Sequence, residues 1–176
     1  MLVVETGTGA SDSESYVSVS DAASYAAARG LTFPTSPEAP AEQALRRATT
    51  WLDAAYRASF PGARTNGRSQ PLQWPRTEAY DRDGEEIASD EIPVEIINAT
   101  IEAAVRELAS PGSLSPDVTP AETTKRMKAG SVEIEYFEPS SPSTDQRPIV
   151  SVVDDILSGL LAVNRGPVLF GTAVRA

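Results

Sequence analysis

Neither histidine nor cysteine occurs in this 176-residue chain, which removes most enzymatic chemistry at the outset. Without imidazole there is no ordinary general base, triad member or neutral metal ligand. Without thiols there are no disulfides and no thiolate metal sites, so zinc has neither of its preferred ligands. Carboxylates remain: 25 acids stand against 15 basic residues, a net charge of −10. The densest acidic run is Asp81-Arg-Asp-Gly-Glu-Glu86. A calcium loop of the EF-hand type needs glycine sixth and a glutamate twelfth, between helices. Here glycine is fourth, so the run reads as a solvated acidic loop. Carboxylate pairs are inevitable at this composition. A glycosidase needs two of them across a sugar-sized cleft, and aromatics to line such a cleft are only 6% of the chain. Gly7 and Gly9 lack both the Gly-Lys-Ser/Thr ending of a phosphate loop and the third glycine of a dinucleotide fingerprint. Thr6–Ser15 is therefore expected to be a flexible lead-in. The expectation is a non-enzymatic protein with no catalytic residue, cofactor or metal.

Two other groups of residues carry binding chemistry. Lys125, Arg126 and Lys128 lie near Tyr136 and Phe137, with Arg64 and Arg68 earlier in the chain. Basic and aromatic residues together point to nucleic acid; the competing reading is salt bridging to Glu133 and Glu135. A pI of about 4.5 implies a field that repels DNA and anionic membranes. The salt-bridge reading is favoured, with weak contact to a duplex passing through a ring kept open. The second group is Trp74-Pro75-Arg76. It reads as a packing anchor: Trp74 buried against the second and third helices, Pro75 stiffening the exit, Arg76 paired with an acid of its own chain or of the neighbouring subunit. A ligand pocket at Trp74 is the alternative.

The elements that must position these residues are mainly helical. Leu2–Glu5 is a short β-prone run. Ser18-Val-Ser-Asp21 resembles a capping box, opening a helix over Ala22–Arg29 that Gly30 closes. A second helix begins near Pro40, with Ala44, Leu45, Ala48, Leu52, Ala55 and Tyr56 on its apolar stripe. Glu42, Arg46, Arg47, Asp53 and Arg57 cover its other face. Ala63–Glu91 is long for a connection, so it is functional or holds short structure of its own. The third helix carries Val94, Ile97, Ile101, Ala104, Val105 and Leu108. Val132, Ile134 and Tyr136 alternate with glutamates as a strand does. Its hairpin partner is Thr123–Lys128, with Ala129-Gly130 as the turn, Met127 opposite Val132 and Arg126 opposite Glu133. A fourth helix starts near Pro148, with Ile149, Val152, Val153, Ile156, Leu157, Leu160 and Leu161 apolar. The last stretch, Arg165–Ala176, has no helical period. Its Val168, Leu169 and Phe170 dock on a partner chain or tuck onto the chain's own core. No run approaches a membrane span, and the first residues lack a basic, apolar signal pattern.

The order of five stretches is familiar: "LVVETGTG", "SYVSVSDAASYAAARG", "ALRRATTWLDAAYRASFPGAR", "QPLQWPRTEAYDRDGEEIASDEIPVEIINATIEAAVREL" and "KRMKAGSVEIEY". Together they span Leu2–Tyr136. The chain resembles the head–tail connector (adaptor, or head-completion) proteins of tailed bacteriophages, a group also labelled "putative DnaT-like single-stranded-DNA-binding protein". The resemblance implies a small helical bundle of about four helices with one β-hairpin and an extended C-terminal tail. It divides the chain into a helical domain, 1–163, with the hairpin near 123–137, and a docking tail, 164–176. It further implies a virion protein made in the bacterial cytoplasm. A homo-oligomeric ring, expected to be dodecameric, would sit beneath the portal and continue the DNA channel toward tail or stopper proteins. Arg165, Val168, Leu169, Phe170 and Arg175 would then contact the portal or a neighbouring subunit. Arg64, Arg68, Lys125, Arg126 and Lys128 would face the channel, DNA or the next subunit. The alternative reading is a nucleic-acid-binding accessory protein, as the label says.

Overall fold

The computed structural model describes residues 1–116 and 148–161, with the backbone alone of 126–129 and 132–135. The described residues form a small, mainly α domain: α1 Val19–Ala28, α2 Glu38–Tyr56, α3 Val94–Ala109 and α4 Ser151–Leu157. Between α2 and α3 lie four two-residue strands: β1 Ala63–Arg64, β2 Arg76–Thr77, β3 Ala79–Tyr80 and β4 Glu86–Ile87. β1 pairs antiparallel with β2, and β3 with β4. The long connection thus holds structure of its own.

The α1 boundaries follow from its ends. The Ser18 hydroxyl accepts from the backbone N–H of Asp21 at 3.1 Å, satisfying one donor that the first turn leaves open. At the other end Gly30 has φ +68°. Leu31 donates to Ala26 and Gly30 to Ala27, the paired bonds of a Schellman ending.

α3 packs against α2, α4 and α1, and this central position corrects the single stripe expected for it. Ile96, Ala99, Thr100, Ala103 and Glu107 are buried along with Ile101 and Ala104, whereas Val94 in the first turn is 60% exposed. A helix with three neighbours buries more than one face. On α2, Ala41, Ala44, Leu45, Ala48, Thr49, Trp51, Leu52 and Asp53 are buried. Ala55 is exposed, so the stripe turns one position away from its expected line. Asp53, expected outside, is inside. α4 is shorter than its apolar pattern: it stops at Leu157, with a turn through Gly159. Ile149 is 82% exposed, and Val150, Val153, Leu157 and Leu160 are the residues that enter the core.

Two further expectations are corrected. The lead-in is an ordered loop, organised by Glu5. Its carboxylate is buried and accepts from the N–H of Gly7 (2.9 Å), Gly9 (2.9 Å) and Ala10 (3.0 Å), and from the Ser13 hydroxyl (2.7 Å). Burial pulls the Glu5 pKa upward, but these donors outweigh it and leave it below its ordinary value. Gly7 is required there: at φ +98°, an added Cβ would fall 1.8 Å from the Asp90 carbonyl oxygen. The hairpin register also differs. β5 Arg126–Ala129 pairs with β6 Val132–Glu135, placing Arg126 opposite Glu135, Met127 opposite Ile134 and Lys128 opposite Glu133. The shift is by two residues, so basic positions still meet acidic ones and apolar positions still meet apolar ones.

Candidate functional site

The densest polar arrangement in the core joins the start of the chain, α2 and the loop before β2. Tyr16 is 2% exposed and Asp53 is 9% exposed. The Tyr16 hydroxyl donates to Asp53 Oδ1 at 2.7 Å and accepts from the backbone N–H of Gln73 (2.9 Å) and Trp74 (3.1 Å). The Gln73 N–H also reaches Asp53 Oδ2 at 3.0 Å. One phenol therefore closes its full donor and acceptor capacity on three partners from two segments, α2 and the loop before β2. Burial raises the Asp53 carboxyl to about 6; the bonds from Tyr16 and Gln73 and the charges of Arg76 and Arg64 oppose that rise. The Tyr16 hydroxyl is itself pushed well up by burial and by Asp53, so it stays a proton donor.

Gln70 extends the arrangement. Fully buried, its side chain donates to the carbonyls of Leu72 and Pro75, each at 3.0 Å, and accepts from the Asn66 N–H at 3.2 Å. Arg64 donates to the Gln70 carbonyl at 3.0 Å. Asn66 in turn donates to the carbonyls of Thr8 and Gly9, tying the Glu5 loop to this one. Trp74 lies in the middle, fully buried, and Pro75 follows through a cis peptide bond. Phe60 meets the Trp74 ring edge-on, 5.8 Å between centroids and 72° between planes. Phe60 leads on to Tyr56, and Tyr56 to Trp51. Among the described residues Arg76 pairs with no acid. Its guanidinium donates to the carbonyls of Pro61 (2.5 Å), Gly62 (2.7 Å) and Gln73 (3.2 Å) and lies 6.0 Å from the Phe60 and Trp74 rings. Two carbonyls on the turn after α2 and one in the loop before β2 suit a rigid fork of donors better than one carboxylate would.

This geometry positions backbone, and nothing in it presents a reactive group to solvent. Every side-chain oxygen of Tyr16 and Asp53 is bonded to a protein partner, and both residues are buried. Among the described residues no group of three or more acidic side chains could hold a metal ion. In the acidic run, Asp81 Oδ1 accepts from the N–H of Asp83 (2.9 Å) and Glu85 (2.8 Å), which shapes its own turn.

Among the described residues most cations are consumed inside the chain. Arg46 bonds Glu14 (2.9 Å) and Glu42 (3.3 Å), Arg47 bonds the buried Glu107 (2.6 Å), and Arg106 bonds Glu102 (3.0 Å). Arg29 lies over the Tyr25 ring at 3.5 Å. Arg57, Arg68 and Arg82 are exposed, with no acid in salt-bridge range among the described residues. Arg64 and Arg68, grouped by sequence, therefore differ: Arg64 is half-buried and bonded to the Gln70 carbonyl, whereas Arg68 is exposed and has no acidic partner among the described residues. Arg126 and Lys128 lie on β5 with their side chains outside the description. Lys125, Tyr136, Phe137, Arg165, Val168, Leu169, Phe170 and Arg175 lie outside the described residues.

Sequence reasoning missed Tyr16, Asp53, Glu5, Gln70 and Glu107. For Asp53 a signal existed: it continues the buried line Ala41, Leu45, Thr49 at four-residue spacing. For the others the partners are backbone groups distant in sequence, which leave no pattern.

The Asp53 carboxyl makes stability depend on pH. Its folded pKa lies above its unfolded value of 3.8, so its favourable contribution is complete below that value and is lost as pH rises through about 6. A shift of this size corresponds to about 3 kcal/mol. The urea midpoint is expected to fall between pH 4.5 and 6.5. Asp53→Asn should flatten that slope; an unchanged slope would remove Asp53 as its source. Glu5, with its pKa lowered, acts in the opposite direction and mainly below this window.

A family model described as "Putative DnaT-like ssDNA binding protein" matches residues 1–176. No curated protein and no solved structure matches the chain.

Proposed function

The chain belongs to the family of that description, the DnaT-like family, and from that premise we propose that it is a structural, non-enzymatic assembly protein. In this reading it is a head–tail connector subunit of a tailed bacteriophage, made in the bacterial cytoplasm and built into the virion. Identical subunits close into a ring through heterologous contacts. The ring binds the portal, contacts tail or stopper proteins and lets genomic DNA pass without sequence-specific binding. Arg165, Val168, Leu169, Phe170 and Arg175 supply contact to the portal or the next subunit.

The observation that carries this reading is the inward use of charge and polarity. Tyr16, Asp53, Gln70 and Arg76 hold loops in place. Arg46, Arg47 and Arg106 are neutralised by the chain's own acids. The net charge of −10 favours sliding of DNA over retention. The connector resemblance itself rests on the order of the sequence stretches.

A second reading is single-stranded-DNA binding. The family description favours it over the connector role, and the basic run Lys125, Arg126, Lys128 is where it would reside. Titration with a fluorescent oligonucleotide separates the two. The assembly reading predicts no binding near physiological salt, and only weak binding at low salt with a steep salt dependence. Submicromolar binding at physiological salt, lost in Lys125→Glu/Arg126→Glu, would establish the second reading instead.

A further inference from the structure

Where α4 ends, the chain runs along a groove of about 520 Å³ between the β3–β4 ribbon and the start of α3. The Arg82 N–H donates to the Gly159 carbonyl at 2.8 Å, which fixes the ribbon to the end of α4 and builds the groove's two walls. Its apolar lining comes from Ile92, Ile97 and Leu160, with Val94 beside them at 60% exposure. Its rim is acidic: Asp83, Glu85, Glu86, Glu91 and Glu95. None of these five acids has a cationic partner among the described residues, whereas Glu14, Glu42, Glu102 and Glu107 all do.

We propose that this groove receives the chain's own C-terminal segment, Arg165–Ala176. The charge is complementary: residues 162–176 carry Arg165 and Arg175 and no acid. The apolar content matches too, since Val168-Leu169-Phe170 lies between the two arginines. The path is short. Leu160 lines the groove, Gly166-Pro167 is a turn signal, and Val168 lies at most roughly 27 Å of extended chain beyond Leu160. A tethered segment also has an effective concentration that a separate chain must match. The segment's apolar side chains cover the groove floor, and its arginines meet the acidic rim. The contact belongs to the unassembled chain, and the segment leaves the groove for the portal or the next subunit when the ring forms, so its failure leaves the connector reading standing.

The test uses the full chain, which has no native cysteine, so nitroxide labels can be placed at Ala88→Cys and Thr172→Cys alone. Pulsed dipolar EPR at low salt should give a short, narrow distance. That distance should be lost in Glu86→Lys/Glu91→Lys, two exposed positions whose change leaves the circular dichroism spectrum intact. It should return when Arg165→Glu/Arg175→Glu is added. A broad distribution that ignores these charge changes would overturn the proposal. A short distance that disappears on dilution with unlabelled chain would also overturn it, because the segment would then occupy the groove of a second copy.

Discussion

Tyr16→Phe is expected to lower the stability of this domain by about 4 kcal/mol, although it removes a single oxygen atom. The hydroxyl accepts from the N–H of Gln73 and Trp74 and donates to Asp53. Without it the Trp74 N–H has no acceptor, the Gln73 N–H keeps only Asp53, and the carboxylate loses its strongest donor. A buried N–H left without a partner costs about 1–3 kcal/mol, and a bond to a charged group contributes about 1.5–3 kcal/mol. The sum is near the whole stability of many domains. Urea unfolding followed by tryptophan fluorescence measures the loss directly. A change below about 0.5 kcal/mol, the range of ordinary surface substitutions, would show that water or a shifted loop takes over the hydroxyl's bonds.

Trp74→Ala should cost a similar amount, about 4 kcal/mol, for a different reason. The indole is fully buried and stands edge-on to Phe60, so its removal opens a cavity at the end of an aromatic series running through Tyr56 to Trp51. The indole Nε1 has no hydrogen-bond partner among the described residues. Trp74→Phe therefore forfeits volume and no hydrogen bond, and it should cost well under half as much as alanine. Equal losses in the two variants would mean that the indole N–H carries a bond. Losses below 1 kcal/mol in both would mean that the Trp74 loop does not anchor the fold.

These two residues illustrate what was legible in the sequence. The helices were, because each carries apolar residues at helical spacing between recognisable ends: Ser18 and Gly30 for α1, Pro61-Gly62 after α2, Pro111-Gly112 after α3. A buried role for Trp74 was also legible, since a tryptophan beside a proline in a long connection needs somewhere to pack. Faces were less legible. Periodicity gives a direction for one partner, and α3 has three, so Ile96 and Ala99 escaped the expected stripe. Ile149 was placed inside because it is apolar, yet Val150 takes that position where the chain turns into α4. The polar hub was not legible at all, because Tyr16 and Gln70 bind backbone atoms and a backbone partner has no letter. Arg76 failed for the same reason: an arginine next to acids in sequence suggests a carboxylate, and its actual partners are carbonyls. Glu5 turned an apparently flexible glycine-rich run into a closed loop by the same means.

The assembly reading is tested most directly by the solution mass of the full-length protein, determined by light scattering, alone and mixed with a portal protein from the same source. The account predicts that the mixture forms a complex whose mass equals the portal plus a ring of these subunits. It also predicts that adding single-stranded oligonucleotide leaves that mass unchanged. A protein that stays monomeric at every concentration, ignores the portal and instead gains mass on oligonucleotide would contradict it.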